Sequence, residues 1–478
     1  MAARVAARTA SGEDGVLVGG VTHASDSVHP GDLYAALPGA RRHGAQFVPA
    51  AAEAGAVAVL TDAAGAPAAD TAGLPALVVP DPRAILGVIA AQVYGDPTAR
   101  LPVLGVTGTA GKTSTTYFLE YGLRAAGHRT GLIGTVETRL SDRVLDSVRT
   151  TPEATDLQAL FAVGLESGLT AVAMEVSSHA LALGRVTGTR FAVGGFTNFG
   201  LDHLDFHADE EEYFAAKAQF FDGRCAVEVL NLDDPALQPL RKPATVTYSA
   251  AGDPAATWRA LDIAGDAYGQ RFTVAGPRAQ PLDCAIALPG RHNVANALLA
   301  FACLVAIGVD PTVAAKGIAA CPGVPGRLER ITASGPVVGF VDFAHTPDAV
   351  VAALDALREV ATGRIICVVG SGGDRDRTKR PLIGQAAAAG ADVVIVTDDN
   401  PRTEDPAAIR AGVLAGAGAG AIEVAGRRAA IAEAVRLARP GDIVAVLGKG
   451  HERGQEVAGQ VHPFDDRAEL AEALRRAT

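Results

Sequence analysis

The segment Gly-Val-Thr-Gly-Thr-Ala-Gly-Lys-Thr-Ser-Thr at 105–115 constrains this chain more than any other feature. An apolar run at 101–107 leads into it and a helical pattern at 113–126 leaves it, so the chain passes from strand to helix through a glycine turn. Such a turn lets backbone N–H groups close around phosphate oxygens at a helix N-terminus. Gly108 and Gly111 stand where the cradle needs them, Lys112 would neutralise β- and γ-phosphate charge, and the Thr113 hydroxyl would bind magnesium. The strict G-x-x-x-x-G-K-[ST] spacing fails by one residue, because Val106 rather than Gly105 lies five before Gly111. A bare glycine turn is the alternative, and the flanking strand and helix favour phosphate binding.

The 478 residues, 49% apolar and 20% charged, suffice for about three domains of ordinary size. With 42 basic against 53 acidic residues the net charge is −11, and no basic run offsets it, which argues against nucleic acid and anionic lipid as partners. Cys225, Cys284, Cys303, Cys321 and Cys367 are scattered without C-x-x-C spacing and read as buried free thiols in a reducing compartment. The stretch 1–15 lacks the apolar core of a secretory leader, and no uncharged apolar run reaches the roughly 18 residues of a membrane span. The expectation is a cytoplasmic protein.

Short strand patterns at 56–60 and 76–79 and a helical one at 82–94 precede the break Gly95-Asp96-Pro97, so a second domain opens near residue 100. Buried strands follow at 171–176, 192–197 and 226–231, alternating with helices as in a largely parallel sheet. After Pro322-Gly-Val-Pro-Gly326 the pattern restarts, with strands at 364–369, 393–397 and 443–447 that each end in a charged, glycine-rich loop. Ligands of open α/β sheets sit at strand carboxyl ends, so these three loops suggest a second binding surface.

Glu175 closes an apolar strand in Met-Glu-Val-Ser-Ser-His-Ala-Leu, where a carboxylate is costly unless it meets a cation such as magnesium. Asp202, His203, Asp205 and His207 crowd one loop, and Lys217 stands alone on a mostly apolar helix; solvated loop residues and metal or phosphate contacts are equally open readings. Among the C-terminal loops, one gathers Arg375, Arg377, Lys379 and Arg380 and the next Asp399, Asn400 and Arg402. Arginine forks hold carboxylates and a nearby acid takes an ammonium, so this surface suits an amino acid.

Eleven segments then occur in the order known from one family: GVTGTAGKTST, TTPEATDL, MEVSSHALALGRV, NFGLDHLDFH, YFAAK, GRHNVANALLA, GRLERI, VDFAHTPDA, GSGGDRDRTKRP, TDDNPRTEDP and GKGHE. Over nearly its whole length the sequence closely resembles the Mur ligases. The resemblance implies an α/β fold of three domains: a UDP-substrate-binding domain over 1–99, a central P-loop ATPase over 100–326, and a Rossmann-like C-terminal domain over 327–478 that receives the incoming amino acid. It implies that ATP phosphorylates the D-Glu carboxylate of UDP-N-acetylmuramoyl-L-Ala-D-Glu and that an amine attacks the acyl phosphate, in cytoplasmic peptidoglycan precursor synthesis, by a monomer.

By match, Lys112, Glu175, His203 and Lys217 are catalytic, Lys217 as the lysine that the family carboxylates with carbon dioxide. Thr113, Glu175, His203 and Lys217 surround magnesium, and Gly108, Thr109, Ala110, Gly111, Ser114, Asn293, Arg327 and Asp342 join Lys112 and Thr113 on ATP. Ser25, Thr150, Thr151, Ser177 and Arg185 match contacts to the UDP-muramoyl substrate. Arg375, Asp399, Asn400, Pro401, Arg402, Gly448 and Glu452 match the amino-acid pocket, and the D-N-P-R form belongs to members adding 2,6-diaminopimelate, whose second carboxylate Arg402 can bind. Two departures stand out: Ala24-Ser25-Asp26 replaces the usual Asp-Ser-Arg, and Leu183 stands where a glutamine is common. The rivals are a lysine-adding member, folylpolyglutamate synthetase, and a nucleotide-gated binding protein without turnover; the DLYAALPG segment, D-N-P-R and the three charged loops argue against them.

Overall fold

In the computed structural model, residues 8–9, 15–39, 42–145, 149–277, 280–331 and 335–477 are described; most of the stretch 1–15, read above for a leader, lies outside them. The chain divides into two compact units, one built from 1–107, 128–194 and 216–227, the other from 108–127, 195–215 and 228–478.

The first unit opens with a small sheet in which Gly20–Thr22, Asp32–Ala35, Ala58–Thr61 and Ala76–Val78 pair in parallel, with Arg8–Thr9 antiparallel at the edge. The period of two sends Leu33 and Leu60 to one face, against Leu86 and Ile89 of helix Pro82–Val93, and Tyr34 and Val59 to the other, against Val48 and Ala51 of helix Val48–Glu53. A second set of parallel strands follows, Val103–Thr107 beside Ala171–Glu175 beside Thr130–Ile133, extended antiparallel by Thr138–Leu140 and Arg143–Leu145. Gly105 sits mid-strand, where glycine is usually a weakness, because a Cβ there would lie 2.6 Å from the Phe220 ring and 2.7 Å from Phe191.

The second unit begins at the phosphate loop, whose helix Lys112–Ala125 packs on Arg291–Ala306 and Pro311–Ala319. Its six-stranded sheet runs Glu329–Ile331, Val338–Asp342, Ile443–Leu447, Ile365–Val369, Val393–Val396, Ile422–Glu423, parallel except for the first edge strand. Ile365, Cys367 and Val369 face Val350, Ile383 and Val413 from three helices, while Ile366 and Val368 face Ala430, Ile431 and Leu470 from two others. A sheet covered on both faces explains why its strands read as continuous apolar runs. The carboxyl ends of Ile443–Leu447, Ile365–Val369 and Val393–Val396 are neighbours, so the three charged loops emerge side by side.

Every strand and helix expected above is present within two residues of its expected limits. The largely parallel arrangement is only part of the picture, because Trp258–Asp266, Gly269–Ala275 and Leu282–Ile286 form an antiparallel meander. That run alternates, with Phe272 and Val274 buried and Arg271 exposed, the pattern of a sheet wet on one face. All five cysteines are free and buried. Among the described residues no helix is long and apolar enough to cross a membrane.

One buried ion pair ties the second unit's sheet to its helices. Arg427 and Asp466, both with 0% of the side chain exposed, meet through Nε–Oδ1 and Nη2–Oδ2 bonds of 2.7 Å each, and Arg427 Nη2 also donates to the Leu447 carbonyl at 2.9 Å. Removing one partner leaves an uncompensated buried charge, so Asp466→Ala is expected to cost about 3–5 kcal/mol. Urea unfolding followed by circular dichroism should show a lower midpoint for Asp466→Ala and an unchanged one for Glu433→Ala, which breaks the exposed Arg436–Glu433 pair; equal effects would refute the difference in burial as the cause.

Candidate active site

The phosphate loop is held open by backbone geometry. Gly108 and Gly111 adopt φ of +140° and +85°, and side chains there would overlap Thr197 and Asn296. Gly111 is the N-cap of Lys112–Ala125, with no side-chain cap, so the positive end of the helix meets the loop uncovered by a cap side chain. The segment after strand Phe191–Phe196 braces the loop: the Thr109 N–H donates to the Asn198 carbonyl at 2.8 Å, and the Ala110 N–H to Asn198 Oδ1 at 3.1 Å. Thr109 Oγ1 donates to the Gly200 carbonyl at 3.2 Å and lies 3.1 Å from the Tyr213 hydroxyl. Lys112 Nζ rests on the carbonyls of Gly108 and Thr109 at 2.8 and 2.9 Å, a reserve of positive charge inside the loop. These groups fit the phosphates of ATP.

Around the loop, Arg327 donates from Nη2 to Thr113 Oγ1 at 3.1 Å while its guanidinium lies 4.5 Å above the Phe343 ring. Asn293 reaches the Pro289 carbonyl and receives Asn296 Nδ2 at 3.1 Å, so the Asn296 amide links Asn293 to the phosphate loop. Asp342 accepts from the Leu328 and Ala344 N–H groups at 2.6 and 2.7 Å; burial pushes its carboxyl above the usual range against the pull of Arg327. His203 adopts φ +56°, with Nε2 3.5 Å from Asp202, and Asp205 pairs with Arg375 at 3.3 Å. Ser114 is buried in the first turn of the helix.

The amino-acid candidates converge in the same unit. The Gly373 N–H donates to the Asn400 carbonyl at 2.9 Å, and Thr403 Oγ1 donates to Asp374 Oδ2 at 2.8 Å, so two of the loops are stitched together. Arg402, at φ +53°, donates from Nη1 to the Gly373 carbonyl at 2.6 Å and places Nε 3.4 Å from Glu456. The Pro401 carbonyl packs against Gly373, and Gly448, at φ +119°, passes over the Asp399 carboxylate. Asp399 Oδ2 is buried without a hydrogen bond and faces Arg427 Nη1 at 3.9 Å. Arg377 and Arg380 both bind Glu404, at 3.1 and 2.8 Å, and therefore shape the loop.

In the first unit, Glu175 is 1% exposed and accepts from the Thr135 N–H at 2.8 Å and hydroxyl at 3.0 Å; that hydroxyl lies 3.0 Å from Thr150 Oγ1. Thr151 Oγ1 donates to the Glu175 carbonyl at 2.9 Å and neighbours Ser177, which caps the helix Ser178–Ala182. Arg185 pairs with Glu153 at 2.9 Å, and Arg83 and Arg149 approach the same carboxylate at 3.8 Å each. Burial draws the Arg185 guanidinium below its usual range while Glu153 opposes the shift. Ser25 stands in the short turn Ser25–Ser27, and Lys217, 1% exposed, near the end of helix Glu210–Ala218.

Of the residues expected at magnesium, Glu175 and Lys217 belong to the first unit and Thr113 and His203 to the second. Among the described residues no group of three or more His, Cys, Asp or Glu side chains is gathered as a metal cage. Sequence reasoning missed Lys449, Glu153 and Asn296. All three lay within quoted segments, GKGHE, TTPEATDL and GRHNVANALLA, in which other residues alone were singled out.

Three family models match the chain: "Mur ligase family, catalytic domain" over 17–94, "Mur ligase middle domain" over 106–304, and "Mur ligase, glutamate ligase domain" over 326–450. The UDP-N-acetylmuramoyl-L-alanyl-D-glutamate--2,6-diaminopimelate ligase of Streptomyces avermitilis is 54% identical over 470 residues, which cover 96% of this chain and 93% of that protein. The ligase of the same name from Corynebacterium glutamicum is 48% identical over 460 residues, 92% of this chain and 89% of its own. A solved structure of a ligase of that name superposes with a TM-score of 0.68 at 31% identity, covering 96% of this chain and 94% of the other. Matched along nearly its whole length, the chain belongs to the Mur ligase family, ATP-dependent ligases that form amide bonds in peptidoglycan synthesis.

Proposed function

We propose that this chain joins 2,6-diaminopimelate to the D-glutamyl carboxylate of UDP-N-acetylmuramoyl-L-alanyl-D-glutamate, releasing ADP and phosphate, as a cytoplasmic monomer of three domains over 1–99, 100–326 and 327–478. The observation that carries the choice of amino acid is Arg402. Its left-handed backbone and its bond to the Gly373 carbonyl hold the guanidinium against the Gly372–Gly373 turn, where its fork would take a carboxylate that lysine does not have. Relatives at 54% and 48% identity carry the name of a diaminopimelate ligase.

On this reading a glutamyl carboxylate oxygen attacks the γ-phosphorus of ATP, the bond to ADP breaks, and an acyl phosphate forms. The amine nitrogen of diaminopimelate then attacks the carbonyl carbon, phosphate leaves with the C–O bond, and the nitrogen loses a proton. The uncapped N-terminus of helix Lys112–Ala125 and the Lys112 ammonium hold the β- and γ-phosphoryl oxygens, where pre-oriented donors stabilise charge developing in transfer. Asn293, Arg327 and Asp342 serve the nucleotide, while Thr150, Thr151, Ser177, Arg185 and Ser25 serve the UDP-muramoyl substrate. Magnesium, with Thr113, Glu175, His203 and Lys217 as its proposed ligands, would neutralise phosphate charge when bound. Lys217 is nearly fully buried, where an ammonium is costly; addition of carbon dioxide to its neutral amine forms an N–C bond, releases a proton and leaves a carbamate anion able to face a cation.

Three outcomes are expected. Phosphate release should require both the UDP-muramoyl dipeptide and diaminopimelate; equal rates with lysine, or with a folate and glutamate, would sink the assignment. Arg402→Ala should lower kcat/KM for diaminopimelate roughly 10- to 150-fold, the loss of about 1.5–3 kcal/mol of charge-assisted bonding, without raising the KM for ATP. Lys217→Ala should lose activity and recover part of it with a short carboxylic acid plus magnesium; full activity without additives would rule out the carbamate.

A further inference from the structure

Between the two glycines of Gly448-Lys449-Gly450 the chain buries a lysine completely. Both glycines are forced: Gly448 at φ +119° passes over the Asp399 carboxylate, and Gly450 at φ +53° lies where a Cβ would come within 2.8 Å of the Gly326 carbonyl and of the Phe343 Cβ. The Lys449 side chain, 0% exposed, is thereby directed into the loop, where Nζ donates to Asn400 Oδ1 at 2.9 Å and to Glu452 Oε2 at 2.7 Å. A buried ammonium survives only when paired and hydrogen-bonded.

These bonds fix the two side chains they reach. Asn400 Oδ1 also accepts from the Glu456 N–H at 3.0 Å, so with two donors converging on the oxygen the amide has one orientation and Nδ2 is sent to Glu452 Oε2, 2.9 Å away. Both bonds to Glu452 land on the same oxygen. Oε1 is then the oxygen kept for a ligand, on a carboxylate whose side chain is 35% exposed. The Asp399 carbonyl is held by Gln455 Nε2 at 2.6 Å and Asp399 Oδ1 by the Asn400 N–H at 2.7 Å, while the buried Oδ2 faces Arg427 Nη1 at 3.9 Å, so this carboxylate has its own counter-charge.

We propose that Lys449 is a positioning residue for the incoming amino acid: it offsets the Glu452 carboxylate on one oxygen and locks the Asn400 amide, so that Glu452 presents its other oxygen to a ligand ammonium. It touches no substrate itself. The inference rests on the reading of this surface as the amino-acid pocket, and it concerns binding of the amino acid rather than phosphoryl transfer.

Steady-state phosphate release by the full chain, with Lys449→Met and Lys449→Gln beside the parent, tests it on whichever amino acid the parent accepts. The expected result is a KM for that amino acid raised tenfold to a hundredfold by Lys449→Met and less by Lys449→Gln, which keeps a donor, with the KM for ATP within twofold of the parent. A double substitution with Glu452→Gln should add little to Lys449→Met, because one acts through the other. The proposal is overturned if both variants fold and keep the parent's KM for the amino acid, if the KM for ATP rises in step, or if neither variant folds. A parent chain that turns over an amino acid other than diaminopimelate defeats the assignment of substrate and leaves this test intact.

Discussion

The helix Lys112–Ala125 starts without a side-chain cap, and the surrounding part of the second unit is arranged around that fact. A helix normally satisfies its first N–H groups with a Ser, Thr, Asp or Asn at the N-cap, worth about 1 kcal/mol. Here the cap is Gly111, pressed against Asn296, and no cap side chain fits. Donors left open in this way would invite the loop to collapse onto itself. Thr197, Asn198, Gly200 and Tyr213 prevent it by engaging Thr109 and Ala110 from outside, while Lys112 occupies the inner carbonyls. The bracing segment is the Asp/His-rich stretch whose role composition alone left open: its asparagine and glycine hold the loop, and its acids point elsewhere, Asp205 to Arg375.

A second constraint is the two-sided sheet. Strands covered on both faces leave polar chemistry only at their ends, so Asp342, Asp399 and Gly448 all sit at or just beyond carboxyl termini of parallel strands in one sheet. The charges that must be buried there are matched locally. Arg427 is satisfied by Asp466 and two carbonyls, and Lys449 by Asn400 and Glu452. Arg427 draws Asp398, Leu447 and Asp466 together and Lys449 reaches back to Asn400, contacts between segments far apart in sequence that tie the strand ends to one another.

The strands and helices were legible because their periods are clear and glycine and proline punctuate them; helix Lys112–Ala125 and strands Val103–Thr107 and Ile443–Leu447 lie where the apolar pattern puts them. The antiparallel meander was less legible, since alanine and glycine dilute its alternation. Candidate site residues stood out where a segment combined unusual chemistry with a strand end, as with Glu175 and Arg402. Convergence was not. Nothing local in Glu153 announces that Arg83, Arg149 and Arg185 approach one carboxylate, and Asn296 reads as one more polar residue on an alanine-rich helix until Gly111 is found against it.

The arginine-rich loop at 375–380 shows how geometry redistributes roles that composition treats alike. Arg377 and Arg380 share Glu404, which also accepts the Asp374 N–H at 2.6 Å, and that carboxyl is drawn below the usual range, first by its bond to Arg380. Arg380 is itself 5% exposed, so these two cations are committed to building the turn. Arg375, with 57% of its side chain exposed, meets only a single, longer contact to Asp205, and Arg402 is held through a carbonyl and a loose approach to Glu456. Cations tied that weakly are the ones a dicarboxylic ligand can recruit without breaking the fold. On the proposed reading Arg402 supplies the guanidinium and Glu452 the carboxylate for a ligand that carries carboxylates and ammonium together, while the buried Asp399 Oδ2, 3.9 Å from Arg427, holds the strand end beneath them.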